Sequence, residues 1–149
     1  MSILSDPTPQ ERFSTALHST ARSWRLALDA RLKDLGVGQS GWMTIAILAK
    51  SKTELSQRAL ADQLGVEGPS VVSMLDRLEA AGLVLRAPCS TDRRVKLVHL
   101  TDAGRALFAK VRKQADAFRA SVLDDVPPDR LAAATELLEQ LRARIEDEL

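Results

Sequence analysis

Four cations crowd one short stretch of this sequence. Arg86, Arg93, Arg94 and Lys96 stand against Asp92 alone, a local charge of +3. Most of them sit in the polar stretch Pro88-Cys89-Ser90-Thr91-Asp92-Arg93-Arg94 and at its edges. Two apolar runs flank that stretch, Leu83-Val84-Leu85 and Val95-Lys96-Leu97-Val98-His99-Leu100. Two short strands around such a loop make a hairpin, although the second run does not alternate cleanly. An isolated hairpin is marginal in water, so this one must lean on neighbouring helices. Arginines at a hairpin tip suit bidentate phosphate contacts and the narrow, negative minor groove of duplex DNA. The same loop also reads as an ordinary solvated charged turn.

Other chemistry is poorly supplied. Gly36-Val37-Gly38-Gln39-Ser40-Gly41 spells the dinucleotide fingerprint, yet it follows a helical pattern and no βαβ unit surrounds it. His18, His99 and Cys89 are the only soft metal-ligand candidates, and they are scattered. No nucleophile–base pair or carboxylate cluster suggests catalysis. No enzyme activity, cofactor or metal is therefore expected. Cys89, beside the cationic loop, is a candidate for a lowered pKa and for oxidant sensing.

The elements that must position the loop are mainly helical. Apolar residues at Phe13, Leu17, Trp24, Leu28, Leu32 and Leu35 give a near-heptad stripe over residues 10–35, ended by Gly36. Ser40 is a candidate cap for a second helix over 41–50, and Ser56 for a third that Gly65 closes after Leu64. Pro69 suits the first turn of a fourth, ending at Gly82. Thr101 is expected to cap a long helix over 102–124, broken by Pro127-Pro128. The last helix shows Leu131, Ala134, Leu138, Leu141 and Ile145, again near-heptad. The fold class is mainly α with a small β-hairpin wing.

Residues 57–76 carry a second signal. Ala61 is small where another helix must cross closely, and Gly65 supplies a positive φ at the turn. Val71 points back into the interhelical angle, with Leu60, Leu64, Val66 and Met74 at the other inward positions. Small, Gly and β-branched residues so spaced are what a helix-turn-helix requires.

Taken together these blocks resemble the MarR family of bacterial regulators. They are Leu55-Ser56-Gln57-Arg58-Ala59-Leu60-Ala61, Pro69-Ser70-Val71-Val72, Leu75-Asp76-Arg77-Leu78-Glu79, Gly82-Leu83-Val84, Asp92-Arg93-Arg94, Leu100-Thr101 and Gly104. Arg31-Leu32-Lys33, Trp42 and the run from Cys89 to Arg94 look closest to the SlyA branch. The resemblance spans roughly residues 15 to 148. It implies a winged helix-turn-helix over 36–104, with 1–35 and 105–149 forming a helical dimerisation region intertwined with it.

The resemblance also implies roles. The fourth helix would enter the major groove, with Ser56, Gln57, Pro69, Ser70, Ser73 and Arg77 as DNA-facing candidates. Arg93 and Arg94 would enter the minor groove, with Asp92 holding the wing arginine. Many family members carry an Arg where this chain has Ser73, so base readout here would rest on weaker contacts, shape and the wing. Arg77 reads equally as a partner for Asp76 or Glu79. The family commonly binds small aromatic carboxylates, and the corresponding lining here is Arg22, Arg25, Ser40, Trp42, Met74 and Arg86. An arginine would pair the carboxylate while Trp42 and Met74 offer apolar walls. Trp42 also reads as plain core.

Composition agrees with a helical DNA-binding dimer. Only five aromatics occur among 149 residues, so Leu, Ala and Val must build the core. The net charge of +1 divides unevenly: residues 124–149 sum to −5, leaving +6 for the rest. An acidic tail belongs far from DNA. Near-heptad stripes at both chain ends favour burial against a second copy, which predicts a pseudo-palindromic operator. One cysteine fits a reducing compartment, the lead-in Ser5-Asp6-Pro7-Thr8-Pro9 is polar, and no run approaches the roughly 20 apolar residues of a membrane span. A cytoplasmic protein is expected. A helical dimeric adaptor using the winged fold to bind protein is the rival reading, but it has no need of Arg93 and Arg94.

Overall fold

A computed structural model describes residues 5–149; residues 1–4 of the expected dimerisation region lie outside the described residues. The described residues divide into two units, one running to Ala115 and the other from Asp116 to Leu149. In the first unit, helix α1 (Pro9–Leu32) opens with a capping box. Thr8 Oγ1 accepts from the Glu11 amide, and the Glu11 carboxylate accepts from the Thr8 amide. A 3-10 turn (Lys33–Leu35) follows and ends at Gly36 in the left-handed region, so the α-helix stops three residues short of the expected Leu35.

Helix α2 (Gly38–Lys50) corrects one expectation. It starts before Ser40, and its N-cap, Val37, makes no side-chain cap bond. Ser40 instead lies in the first turn, where its carbonyl accepts from the Thr44 hydroxyl at 2.7 Å. Strand β1 (Leu55–Ser56) leads straight into α3 (Gln57–Leu64), and Ser56 Oγ accepts from the Ala59 amide at 3.0 Å, as an N-cap should. Gly65 follows with φ +68°, a conformation in which a Cβ is strained. Helix α4 (Gly68–Ala80) has Pro69 in its first turn.

Strands β2 (Val84–Pro88) and β3 (Lys96–Leu100) form the expected hairpin, with Val84 opposite Leu100 and Pro88 opposite Lys96. The short β1 adds to its free edge, Leu55 opposite Val98, giving an antiparallel sheet in the order β1-β3-β2. Helix α5 (Asp102–Leu123) begins after Thr101, whose hydroxyl accepts from the Gly104 amide at 3.0 Å and donates to the Gly82 carbonyl at 2.6 Å. That residue ties the α4–β2 turn to the start of α5.

The core joins α2, α3, α4 and the sheet: Ile45, Leu60, Ala61, Val71, Met74, Leu75, Leu78, Val84 and Val98 are buried together. Leu107 and Phe108 of α5 pack against it. Each fully buried Leu or Ile contributes about 1.5–3 kcal/mol. Val66, expected to point inward, is instead 38% exposed, because the left-handed turn at Gly65 carries the chain outward before α4 begins. Thr44, the one fully buried polar residue among the described residues, is satisfied by Ser40 and by the Met74 sulfur at 3.4 Å.

In the second unit, α5 ends and, after Pro127, α6 (Pro128–Glu148) begins. No residue of α6 is buried, and Leu131, Leu137, Leu138 and Ile145 are exposed.

Candidate nucleic-acid interface

Helix α4 divides cleanly into two faces. Val71, Met74, Leu75 and Leu78 are buried, whereas Pro69, Ser70, Val72, Ser73, Asp76 and Arg77 are exposed. The helix thus spends its apolar stripe on the core and offers short polar side chains outward. Thirteen residues make a rod about 20 Å long and about 10–12 Å across, a diameter the roughly 12 Å wide major groove admits. A groove of about 530 Å³ runs between α3 and α4, lined by Gln57, Arg58, Asp62, Glu67 and Val72 among others. Arg58 is an exposed cation beside this face that sequence reasoning passed over. Its signal was present: it precedes Ala59 and Leu60 in α3, away from the buried stripe.

The wing is held by its own short bonds. The Cys89 amide donates to the Val95 carbonyl at 2.8 Å, and the Val95 amide donates to the Asp92 carbonyl at 3.0 Å. Asp92 accepts from the Arg94 amide at 3.1 Å, from Arg94 Nε at 3.2 Å and from Nη2 at 3.4 Å. The Arg94 side chain is nevertheless 91% exposed. Its ion pair, open to solvent, contributes little to stability, but it orients the guanidinium. The Arg94 hydrogen bonds hold the Asp92 carboxyl below its ordinary pKa. Arg93 is exposed and has no ion-pair partner among the described residues. Cys89 sits beside Thr91, whose hydroxyl lies 3.2 Å from the thiol; that hydrogen bond, aided by the Thr91 and Asp92 amides, lowers the thiol pKa.

Arg77 does not pair with Asp76 or Glu79, because both carboxylates are occupied by Arg86 arriving from β2. Arg77 stays exposed on α4. Gln57 begins α3 and accepts from Arg86 Nη1 at 3.3 Å; Ser56 is committed to its cap.

Of the six residues of the expected effector site, Arg25 and Ser40 come together at one cavity, of about 270 Å³, with Gln39, Met43, Leu64 and Val66. Met74 lines a separate one of about 200 Å³ with Arg77 and Leu78. Trp42 is buried, and its Nε1 donates to Asp29 at 3.2 Å, tying α2 to α1. Arg22 is exposed on α1, one turn before Arg25. Among the described residues no cluster of His, Cys, Asp and Glu could hold a metal ion, and no helix is long and apolar enough to cross a membrane.

A helical pair closed by a left-handed glycine, an outward polar face on its second helix and a cationic hairpin define a winged helix-turn-helix protein. Comparison with known proteins narrows the class. A model of the MarR family matches residues 35–95. The transcriptional regulator PA3341, whose crystal structure is solved, is 37% identical over 91% of this chain and 98% of its own, with a TM-score of 0.84. Two more distant structures share the fold. They are S. aureus MepR in complex with DNA (20% identity, 89% and 97% coverage, TM-score 0.76) and NadR with 4-hydroxyphenylacetate (24%, 95% and 97%, 0.78). The chain belongs to the MarR family of DNA-binding transcriptional regulators, which are not enzymes.

Proposed function

We propose that this regulator is a cytoplasmic, SlyA-like homodimeric repressor that binds a pseudo-palindromic operator. Helix α4 lies in the major groove, with Pro69, Ser70, Ser73 and Arg77 toward the DNA and Ser56 and Gln57 at the backbone. Arg93 and Arg94 enter the flanking minor groove. The observation that carries this reading is the outward polar face of α4 in one unit with an exposed, aspartate-oriented Arg94. MepR, which shares the fold, was captured on DNA, which supports the reading. The dimer is supported by Phe13, Leu17 and Leu26 on α1 and by four exposed large apolar residues of α6, since surfaces this apolar ordinarily meet a partner.

A gel shift on fragments of the protein's own promoter region tests the proposal. Wild type should bind. Arg94→Ala should weaken binding about tenfold and, because the homodimer loses two such cations, reduce the slope of log affinity against log salt by about 2. Unchanged affinity and slope would remove Arg94 from the interface and favour the adaptor reading.

An effector reading rests on a narrower observation. Arg25 and Ser40 line one cavity with apolar Met43, Leu64 and Val66, a lining suited to a small aromatic carboxylate. NadR binds 4-hydroxyphenylacetate, a ligand of that class. Calorimetric titration with 4-hydroxyphenylacetate should give heat that Arg25→Ala abolishes. Equal heats from both proteins would place the ligand elsewhere.

A further inference from the structure

Arg86 stands where three elements meet. It lies in β2, opposite Val98 of β3, and its side chain is only 19% exposed. Its Nε and Nη2 donate to Glu79 Oε2 at 3.0 and 2.7 Å, and Nη2 also donates to Asp76 Oδ1 at 2.5 Å. Its Nη1 donates to Gln57 Oε1 at 3.3 Å, while its backbone amide donates to Glu79 Oε1 at 3.2 Å. One guanidinium therefore bonds α3 through Gln57, α4 through Asp76 and Glu79, and the wing through its own strand.

We propose that Arg86 is a positioning residue that fixes the wing against the recognition helix and the start of α3. The inference rests on the DNA-binding reading above and deepens it. Asp76 is one helical turn beyond Ser73 and adjacent to Arg77, so the clamp grips α4 beside its outward face. Strand β2 then runs to the loop that carries Arg93 and Arg94. At about 3.3 Å per residue the loop begins about 10 Å beyond Arg86, so a ten-degree tilt of the strand shifts it by about 2 Å. That displacement is enough to lose a minor-groove contact.

Charge argues against the alternative role for Arg86 in gripping an anionic effector. Two carboxylates face one guanidinium, so the cluster is net negative and repels an incoming anion. Four of the five Arg86 guanidinium N–H donors are also already committed. The paired charges are coupled in the expected sense, the Glu79 hydrogen bond raising the Arg86 pKa and the Arg86 hydrogen bond lowering that of Glu79.

Two measurements on the full-length protein test the clamp. In DNA-free protein, Arg86→Gln should speed amide hydrogen exchange in the hairpin 84–100 at least tenfold and leave α1 and α6 unchanged. Glu79→Gln should act on the same hairpin. Hairpin exchange within twofold of wild type, or equal acceleration along the whole chain, would overturn the inference. If Arg86→Gln does not fold, Arg86→Lys, which keeps the charge but not the fork, should accelerate the hairpin about threefold, and no change there would also overturn it. On DNA, the Arg86→Gln, Arg94→Ala double variant should lose much less affinity than the product of the two single losses, because both act through the wing. Losses that multiply would show Arg86 acting independently. Failure of wild type to bind any promoter fragment would contradict the DNA-binding reading, while the exchange experiment still decides the clamp.

Discussion

Gly104 lies directly against Leu83: a Cβ at Gly104 would stand 2.2 Å from the Leu83 carbonyl oxygen and 3.0 Å from the Leu100 side chain. The first turn of α5 is thus pressed onto the backbone that enters β2, and no flexible group is there to yield. Gly104→Ala should cost about 2–4 kcal/mol, an overpacking penalty in which backbone must move. Urea denaturation of the two proteins checks this. Equal midpoints would mean that α5 and the wing entry are not packed as described.

Two serines that look alike in sequence should behave differently. Ser56→Ala removes a cap whose oxygen accepts from the Ala59 amide, and should cost about 1 kcal/mol. Ser40→Ala removes no cap bond, and should fall within about 0.5 kcal/mol of wild type. Parallel urea titrations separate the cases, and a reversed order would contradict the assigned start of α2.

Acid should loosen the wing through its carboxylates. Glu79 is held below its ordinary value of 4.5 by the Arg86 hydrogen bonds, and Asp92 below 3.8 by those of Arg94. A folded pKa below the unfolded one means stability that is fully present above the unfolded value and lost as pH falls through the folded one. Glu79→Gln should therefore be less stable than wild type at pH 7, with the gap narrowing below about pH 4.5. Urea midpoints at pH 7, 5, 4 and 3 test this; a gap that widened in acid would reverse the sign.

The exposed apolar residues of α6 give a prediction about assembly. Leu138, 44% exposed, should lie in the interface between two copies. Leu138→Glu should convert a dimer to monomer at micromolar concentration, read by sedimentation velocity, because a buried charge costs several kcal/mol. A wild-type monomer at that concentration would contradict the dimer.

What was legible in the sequence was local chemistry. Gly65 was readable as a left-handed turn, Ser56 as a cap next to a helical pattern, and Arg93-Arg94 as a charged loop between apolar runs. Asp92 was expected to hold Arg94, and three hydrogen bonds do so. The failures are mostly non-local. Strand β1 is two residues long, too short for any periodicity, and exists because β3 offers it an edge. The Arg86 cluster joins residues 7, 10 and 29 positions apart, and no spacing rule announces it. Because Arg86 takes Asp76 and Glu79, Arg77 lost the partners that its helix neighbours seemed to offer. Ser40 failed as a cap because α2 begins at Gly38.

Hydroxyl-radical footprinting of the full-length protein on its own promoter region tests the central claim most directly. Two protected segments are expected, their centres about one helical turn, roughly 34 Å, or a multiple of it, apart. Flanking minor-groove protection should vanish with Arg94→Ala while the central segments persist. Protection that Arg94→Ala leaves whole, or one unpaired segment, would contradict a dimer that reads the major groove with α4 and the minor groove with its wing.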